Sequence, residues 1–164
     1  MKRTELGQVV RLVAAVAGPE LSHYGSQAEV EAWLGSVPDR WKRLFADSNT
    51  LILVAKQCGE IIATAYARLE GDVMYFGGAY SLRPGQGAGS LLFSRRVQWG
   101  INKGATKLRT DVFADSLTSS FYTSLGMQEV RRQPDPAGFF QADIIRFEGE
   151  IALVARKIDS RPKP

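Results

Sequence analysis

From Leu6 to Ala17 the apolar residues Leu6, Val9, Val10, Val13, Val16 and Ala17 recur three and four positions apart. That spacing predicts an amphipathic first helix over residues 5–17, stopped by Gly18-Pro19. Ser26 with Glu29 three residues later is a capping-box pattern that opens a second helix. Its buried stripe is Val30, Trp33, Leu34 and Val37, and Pro38 is expected to end it. Trp41, Leu44 and Phe45 predict a further helical piece.

At Thr50 the pattern changes. Leu51–Ala55 is strand-like, Gln57-Cys58-Gly59-Glu60 reads as a turn, and Ile61–Leu69 as a second strand. Glu70-Gly71-Asp72 turns the chain into a third strand over residues 73–81. Such short connections make the three strands antiparallel neighbours. A glycine-rich loop follows, then a helix over residues 90–101 with Leu92, Phe93, Val97 and Ile101 on one face. Residues 106–113 alternate as a strand, 117–125 read as a helix ended by Gly126, and 127–131 as a strand. Gln133–Gly138 is a proline-rich turn, and Ile151–Ile158 reads as a last strand. The expected fold is α/β: a mixed sheet, antiparallel first and then strand-helix-strand, with helices on both faces. Residues 1–159 read as a single domain and 160–164 as a flexible tail.

Composition narrows the chemistry. A chain of 164 residues, 45% hydrophobic and 23% charged, has the length and composition of a folded domain with a real core. One cysteine excludes an internal disulfide and any cysteine-rich zinc site, and Cys58 reads as an exposed thiol at a hairpin tip. A lone His23 speaks against Ser-His-Asp and histidine-based metal chemistry, and no metal is expected. Lys2 and Arg3 precede an apolar stretch, but Glu5, Gln8 and Arg11 interrupt it, so no secretory signal is read there. Nothing approaches a membrane span, and the expected location is cytoplasmic.

The charge is unevenly placed. Residues 1–82 carry eight basic and nine acidic side chains; residues 83–164 carry thirteen and eight. Between Val73 and Thr110 the only charged side chains are basic apart from Asp72 and Asp111 just outside: Arg83, Arg95, Arg96, Lys103, Lys107 and Arg109. This suggests an anionic partner: a nucleotide, a phosphate-rich cofactor or nucleic acid.

The strongest local feature is Gly85-Gln86-Gly87-Ala88-Gly89-Ser90, between a strand and a helix start. Glycines let a ligand approach backbone N–H groups closely, and a helix N-terminus offers free amides to an anion. No lysine follows, so this is not a Walker loop, and Ser90 stands where the dinucleotide fingerprint needs its third glycine. With the following Leu91-Leu92, the segment resembles the acetyl-CoA pyrophosphate loop of the GNAT superfamily of N-acetyltransferases. Some thirty residues on, Phe121-Tyr122-x-x-Leu125-Gly126-Met127 is similar to that family's F-Y-x-x-L-G-F signature. The order of elements agrees over roughly residues 5–158. Three positions depart from the family pattern: Pro84 where Arg or Gln is usual, Asp115 where Asn is usual, and Thr118 where a small Ala is usual.

The resemblance implies a transfer of the acetyl group of acetyl-CoA to a primary amine, by direct attack. Ala79, Tyr80 and Ser81 would pair their backbone with the pantetheine arm. Gly85, Gln86, Gly87, Ala88, Gly89 and Ser90 would wrap the pyrophosphate, with Arg83 supplying charge in place of the family's residue at position 84. Asp115 and Thr118 fall at a pantetheine contact, which Asp alters because it cannot donate as Asn does. Tyr122 would protonate the leaving thiolate. The strand 73–82 holds no carboxylate for the general base. Glu70 is the first choice and Asp111 the second, while Asp72, Glu148 and Glu150 also border strands, and Tyr75 or Tyr80 could organise a water chain.

Two other classes remain open at this stage. One is a CoA-binding module without catalysis, which acts as a regulator or partner-binding unit. The other is a nucleic-acid partner, met by Arg95, Arg96, Lys103, Lys107 and Arg109 with Trp99 as a stacking residue, or an amine carried on aminoacyl-tRNA; no nucleic-acid-binding motif is present. His23, Tyr24, Trp33, Phe139 and Phe140 lie in the segments that would build the acceptor side. They would line a pocket or a contact with a second copy.

Overall fold

The structure, a computed structural model, describes residues 5–116 and 118–160. The expected tail from 161 onward, the basic start at Lys2 and Arg3, and Leu117 lie outside the described residues. The elements are α1 (Leu6–Leu21), α2 (Gln27–Ala46), β1 (Thr50–Gln57), β2 (Glu60–Glu70) and β3 (Val73–Ser81). These are followed by α3 (Ala88–Asn102), β4 (Lys107–Phe113), α4 (Thr118–Ser124), β5 (Gln128–Pro134), β6 (Asp143–Glu150) and α5 (Ile151–Asp159). Six strands form one sheet in the order β1-β2-β3-β4-β6-β5. Among the described residues only β3 and β4 are parallel, joined through α3; every other pair is antiparallel.

Two helices run through residues expected to stop them. Pro19 lies in the last turn of α1, and Pro38 in the middle of α2, which is one 20-residue helix rather than two pieces. An internal proline costs about 3 kcal/mol. Around Pro38 that cost is offset by burying Val37, Trp41 and Leu44, each worth roughly 1.5–3 kcal/mol. The capping box at Ser26 is present: its Oγ accepts from the Glu29 amide, and the Glu29 carboxylate accepts from the Ser26 amide at 2.7 Å.

The last element is a helix, not a strand. Ile151, Val154, Ala155 and Ile158 sit at helical spacing and pack into the core cluster shared with Phe93, Val97 and Phe147. Strand β6 precedes it in a stretch where no strand was expected. Its Ile145 and Phe147 face that core, while Arg146 and Glu148 on the other face hide the apolar alternation by pairing with Asp111 and Arg109. Helices α1 and α2 cover one face of the sheet around Val13, Val37, Trp41 and Phe140; α3 and α5 cover the other. Cys58 and Gly59 form the β1–β2 turn, both with positive φ (50° and 84°), and the thiol is exposed. Among the described residues no helix is long and apolar enough to cross a membrane.

Candidate functional site

Strands β3 and β4 pair only from Val73 opposite Lys107 to Phe76 opposite Thr110. At that last rung Thr110 Oγ1 donates to the Phe76 carbonyl at 3.2 Å. Beyond it the two strands part. The cause lies in β3, where Gly78 and Ala79 stand against the single Ala65 of β2, a bulge that Gly78 allows with φ of +54°. Tyr66 lies across Gly77 and Gly78, so closely that a Cβ on Gly77 would fall 2.2 Å from its hydroxyl. From there β3 continues on β2 and β4 on β6. The edge of β3 from Gly77 to Ser81 therefore faces the gap with no strand paired to it among the described residues.

The gap is a cleft of about 210 Å³. Gly77–Tyr80 form one wall and Thr110–Phe113 the other; Ser116, Thr118 and Tyr122 close it from the α4 side, and Glu20, Leu21 and Trp33 from α1 and α2. Arg96 of α3 lines it as well. The Tyr122 ring is buried between Phe93, Phe121 and Phe147, with centroids 5.4–6.5 Å away. Because α3 returns antiparallel to β3, its N-terminus lies at the end where the strands have parted. Gly87 is its N-cap, with φ of +81°, and no side chain caps the first turn. The amides of Ala88, Gly89 and Ser90 thus keep no intrahelical acceptor, and the helix dipole adds positive potential there.

On the α2 side of the sheet a basin of about 650 Å³ meets the cleft at Asp111. Arg40, Arg43, Arg68, Arg109 and Arg146 line it, against Asp47, Glu70 and Asp111. Arg146 holds Asp111 with two bonds of 2.8 Å, and the contact pushes the guanidinium pKa up. Tyr75, whose hydroxyl lies 3.5 Å from Asp111, is driven well above the usual phenol range by burial. Burial also pushes up Tyr80. Arg40 stacks over Trp33 at 4.6 Å and donates to Ser36 Oγ at 2.8 Å.

The two loops beside the cleft are fastened together. Asp135 accepts from the amides of Ala137, Phe139 and Phe140, which folds the β5–β6 loop back. Phe140 then packs edge-on against Phe113, which stacks on Tyr24 at 4.0 Å. Tyr24 and Phe140 are thereby joined in the packing, while His23 is exposed.

No protein-family model matches the sequence, and no curated protein does. Solved structures do match over nearly the whole chain. One is the PaiA N-acetyltransferase of Thermoplasma acidophilum, in complex with coenzyme A: TM-score 0.75 at 15% identity, over 89% of this chain and 94% of that one. The ribosomal-protein-S18-alanine N-acetyltransferase of Escherichia coli aligns with TM-score 0.70 at 16% identity, over 92% and 90%. A GCN5-related N-acetyltransferase structure from Rhodopseudomonas palustris aligns with TM-score 0.73 at 17% identity, over 92% of each chain. This is the GNAT fold.

Within the GNAT fold, the residues singled out from sequence fall in three places. Ala79, Tyr80, Asp111, Thr118 and Tyr122 line the cleft. Gly85 to Gly87 lead into α3 and Ala88, Gly89 and Ser90 form its first turn, with Arg83 donating to Gln57 nearby. Glu70 lies in the basin, paired with Arg68, and Asp115 is exposed and does not line the cleft. The basic run does not share a face: Arg95 and Lys103 are exposed, Arg96 is buried, Arg109 is paired with Glu148, and Trp99 packs against the core. Among the polar lining residues, the sequence does not single out Glu20, Thr110 or Ser116, and it offers Arg96 only as part of the basic run. Arg96 looks like one more surface charge in a basic run. Only its spacing from Leu92 and Phe93, on the apolar stripe of α3, signals that it turns inward.

Proposed function

We propose that the protein transfers the acetyl group of acetyl-CoA to a primary amine, and that the cleft between β3 and β4 is where the reaction occurs. The observation that carries this reading is the parting of β3 from β4 directly beside the uncapped start of α3. The free edge of β3 can pair with the amide groups of a pantetheine arm, and the amides of Ala88–Ser90 can receive a pyrophosphate. Acetyl-CoA supplies an activated thioester. The residues of this chain hold it, exclude water and move protons.

In this reading the amine nitrogen attacks the thioester carbon, and Tyr122 donates its proton to the departing sulfur. The amine must arrive neutral, so a carboxylate is needed on the acceptor side. Glu70 is committed to Arg68 away from the cleft, and Asp111 is held bidentate by Arg146. Glu20 lines the cleft and forms no salt bridge among the described residues. We therefore assign it the role of base, with Asp111 as the group that orients the acceptor.

The arginine-lined basin favours an acceptor that carries acidic groups near its amine. An aminoglycoside, with several ammonium groups, would meet like charges there. The test is CoA release with a panel of amines, acidic and polycationic, using wild type and Tyr122→Phe. Turnover reduced about 10²-fold or more in the variant supports the assignment. Tight acetyl-CoA binding with no turnover on any amine would instead favour a CoA-binding module without catalysis.

A further inference from the structure

Arg96 is 2% exposed, yet it carries a full charge. Its guanidinium lies 4.3 Å from the centroid of Phe76 and 5.5 Å from that of Phe93. It donates to the Leu92 carbonyl at 3.3 Å and to the Tyr66 carbonyl at 3.0 Å. A guanidinium has five N–H groups, and no carboxylate forms a salt bridge with this one among the described residues. Desolvation pulls its pKa down to about 10, so it stays charged at neutral pH. Phe93 neighbours both this group and Tyr122: its ring centroid is 5.5 Å from the guanidinium and 6.5 Å from the centroid of Tyr122. Arg96 and Tyr122 both line the cleft.

Such an arrangement is unfavourable for folding alone. A buried charge without a counter-ion is costly, and an apolar side chain of similar volume would hold α3 on the sheet at least as well. Beyond the two carbonyls and two rings it already meets, the charge gains a counter-ion only if negative charge arises in the cleft. We propose that Arg96 is a positioning residue that acts through Tyr122, stabilising the negative charge left on the phenol oxygen once its proton has gone to the departing sulfur. This rests on the acetyl-transfer reading above.

The amine lone pair forms the N–C bond, and the C–S electron pair leaves with sulfur. Sulfur takes the Tyr122 proton to give the thiol, and the phenolate remains beside Arg96. The proton lost by the amine passes to the base and returns through solvent to the phenolate. A thioester carries no charge, so the cation contributes to the transition state and not to ground-state binding.

The experiment compares Arg96→Met, Arg96→Lys and Arg96→Ala, in wild-type and Tyr122→Phe backgrounds, by steady-state kinetics, acetyl-CoA calorimetry and thermal unfolding. In Arg96→Met, kcat should fall about 10²-fold while acetyl-CoA affinity and Tm hold or rise. Arg96→Lys should recover part of the loss, and added guanidinium ion should partly restore Arg96→Ala. In the Tyr122→Phe background Arg96→Met should cost several-fold less, because the group it acts through is gone. The proposal is overturned if Arg96→Met keeps wild-type kcat, if its loss is the same without the Tyr122 hydroxyl, or if kcat falls only in step with affinity and Tm. Wild-type protein that releases no CoA with any amine overturns the acetyl-transfer reading as well, and so separates the two failures.

Discussion

Gly78 is where one residue decides the site. Its left-handed backbone makes the β3 bulge, and a Cβ there would lie 2.8 Å from the Tyr66 ring. Gly78→Ala should cost about 1–2 kcal/mol from the backbone alone, seen as a lower Tm, and should weaken acetyl-CoA binding by closing the cleft. Tyr122→Phe should behave oppositely: unchanged binding and Tm, with kcat down about 10²-fold. At this scale the sequence was partly legible. Gly85 and Gly87 stand out because spaced glycines ahead of a helix do nothing for a core, whereas Tyr122 stands out only through the resemblance to the family signature, since its ring packs in the core with Leu125 and Met127. Glu20 and Arg96 do not, because a charged residue on a helix reads as solvated until its partners in space are known.

Among the elements, α2 is the support for the acceptor side, and it begins at a strong local signal. Ser26→Ala should cost about 1 kcal/mol of stability, measured by denaturant unfolding. The Glu29 carboxyl is held below its usual value, chiefly by the Ser26 amide and then by the Ser26 hydroxyl. Its folded-state pKa is thus lower than its unfolded one, so its contribution is present above the ordinary value of 4.5 and is lost as pH falls through the folded value. Glu29→Gln should accordingly lessen the drop in stability on acidification. The capping box and the three-strand meander were legible because their signals are local. Pro19, Pro38 and α5 were misread for the converse reason. Burial of Val37, Trp41 and Leu44 overrides a local breaker, and the short apolar run 151–158 fits strand or helix until α3 and the sheet are there to select its helical face.

At the scale of the whole molecule, the acid-free stretch from Val73 to Thr110 resolves into separate surfaces. Part of it is the approach to α3, part a buried cation in the cleft, and part the paired arginine of the basin. That division is three-dimensional and no linear count contains it, whereas the mixed sheet with helices on both faces follows from the order of elements alone. The basin carries its own prediction: amines bearing carboxylate or phosphate should show higher kcat/KM than polycationic amines, and the preference should shrink as salt is raised. The most direct check on the central claim is calorimetric titration of acetyl-CoA into wild-type protein and Gly87→Val, which blocks the left-handed N-cap of α3. Saturable one-to-one binding, weakened about tenfold or more in the variant, is the predicted result. Absence of binding to the wild type, or equal binding to the variant, would contradict the placement of acetyl-CoA in the cleft.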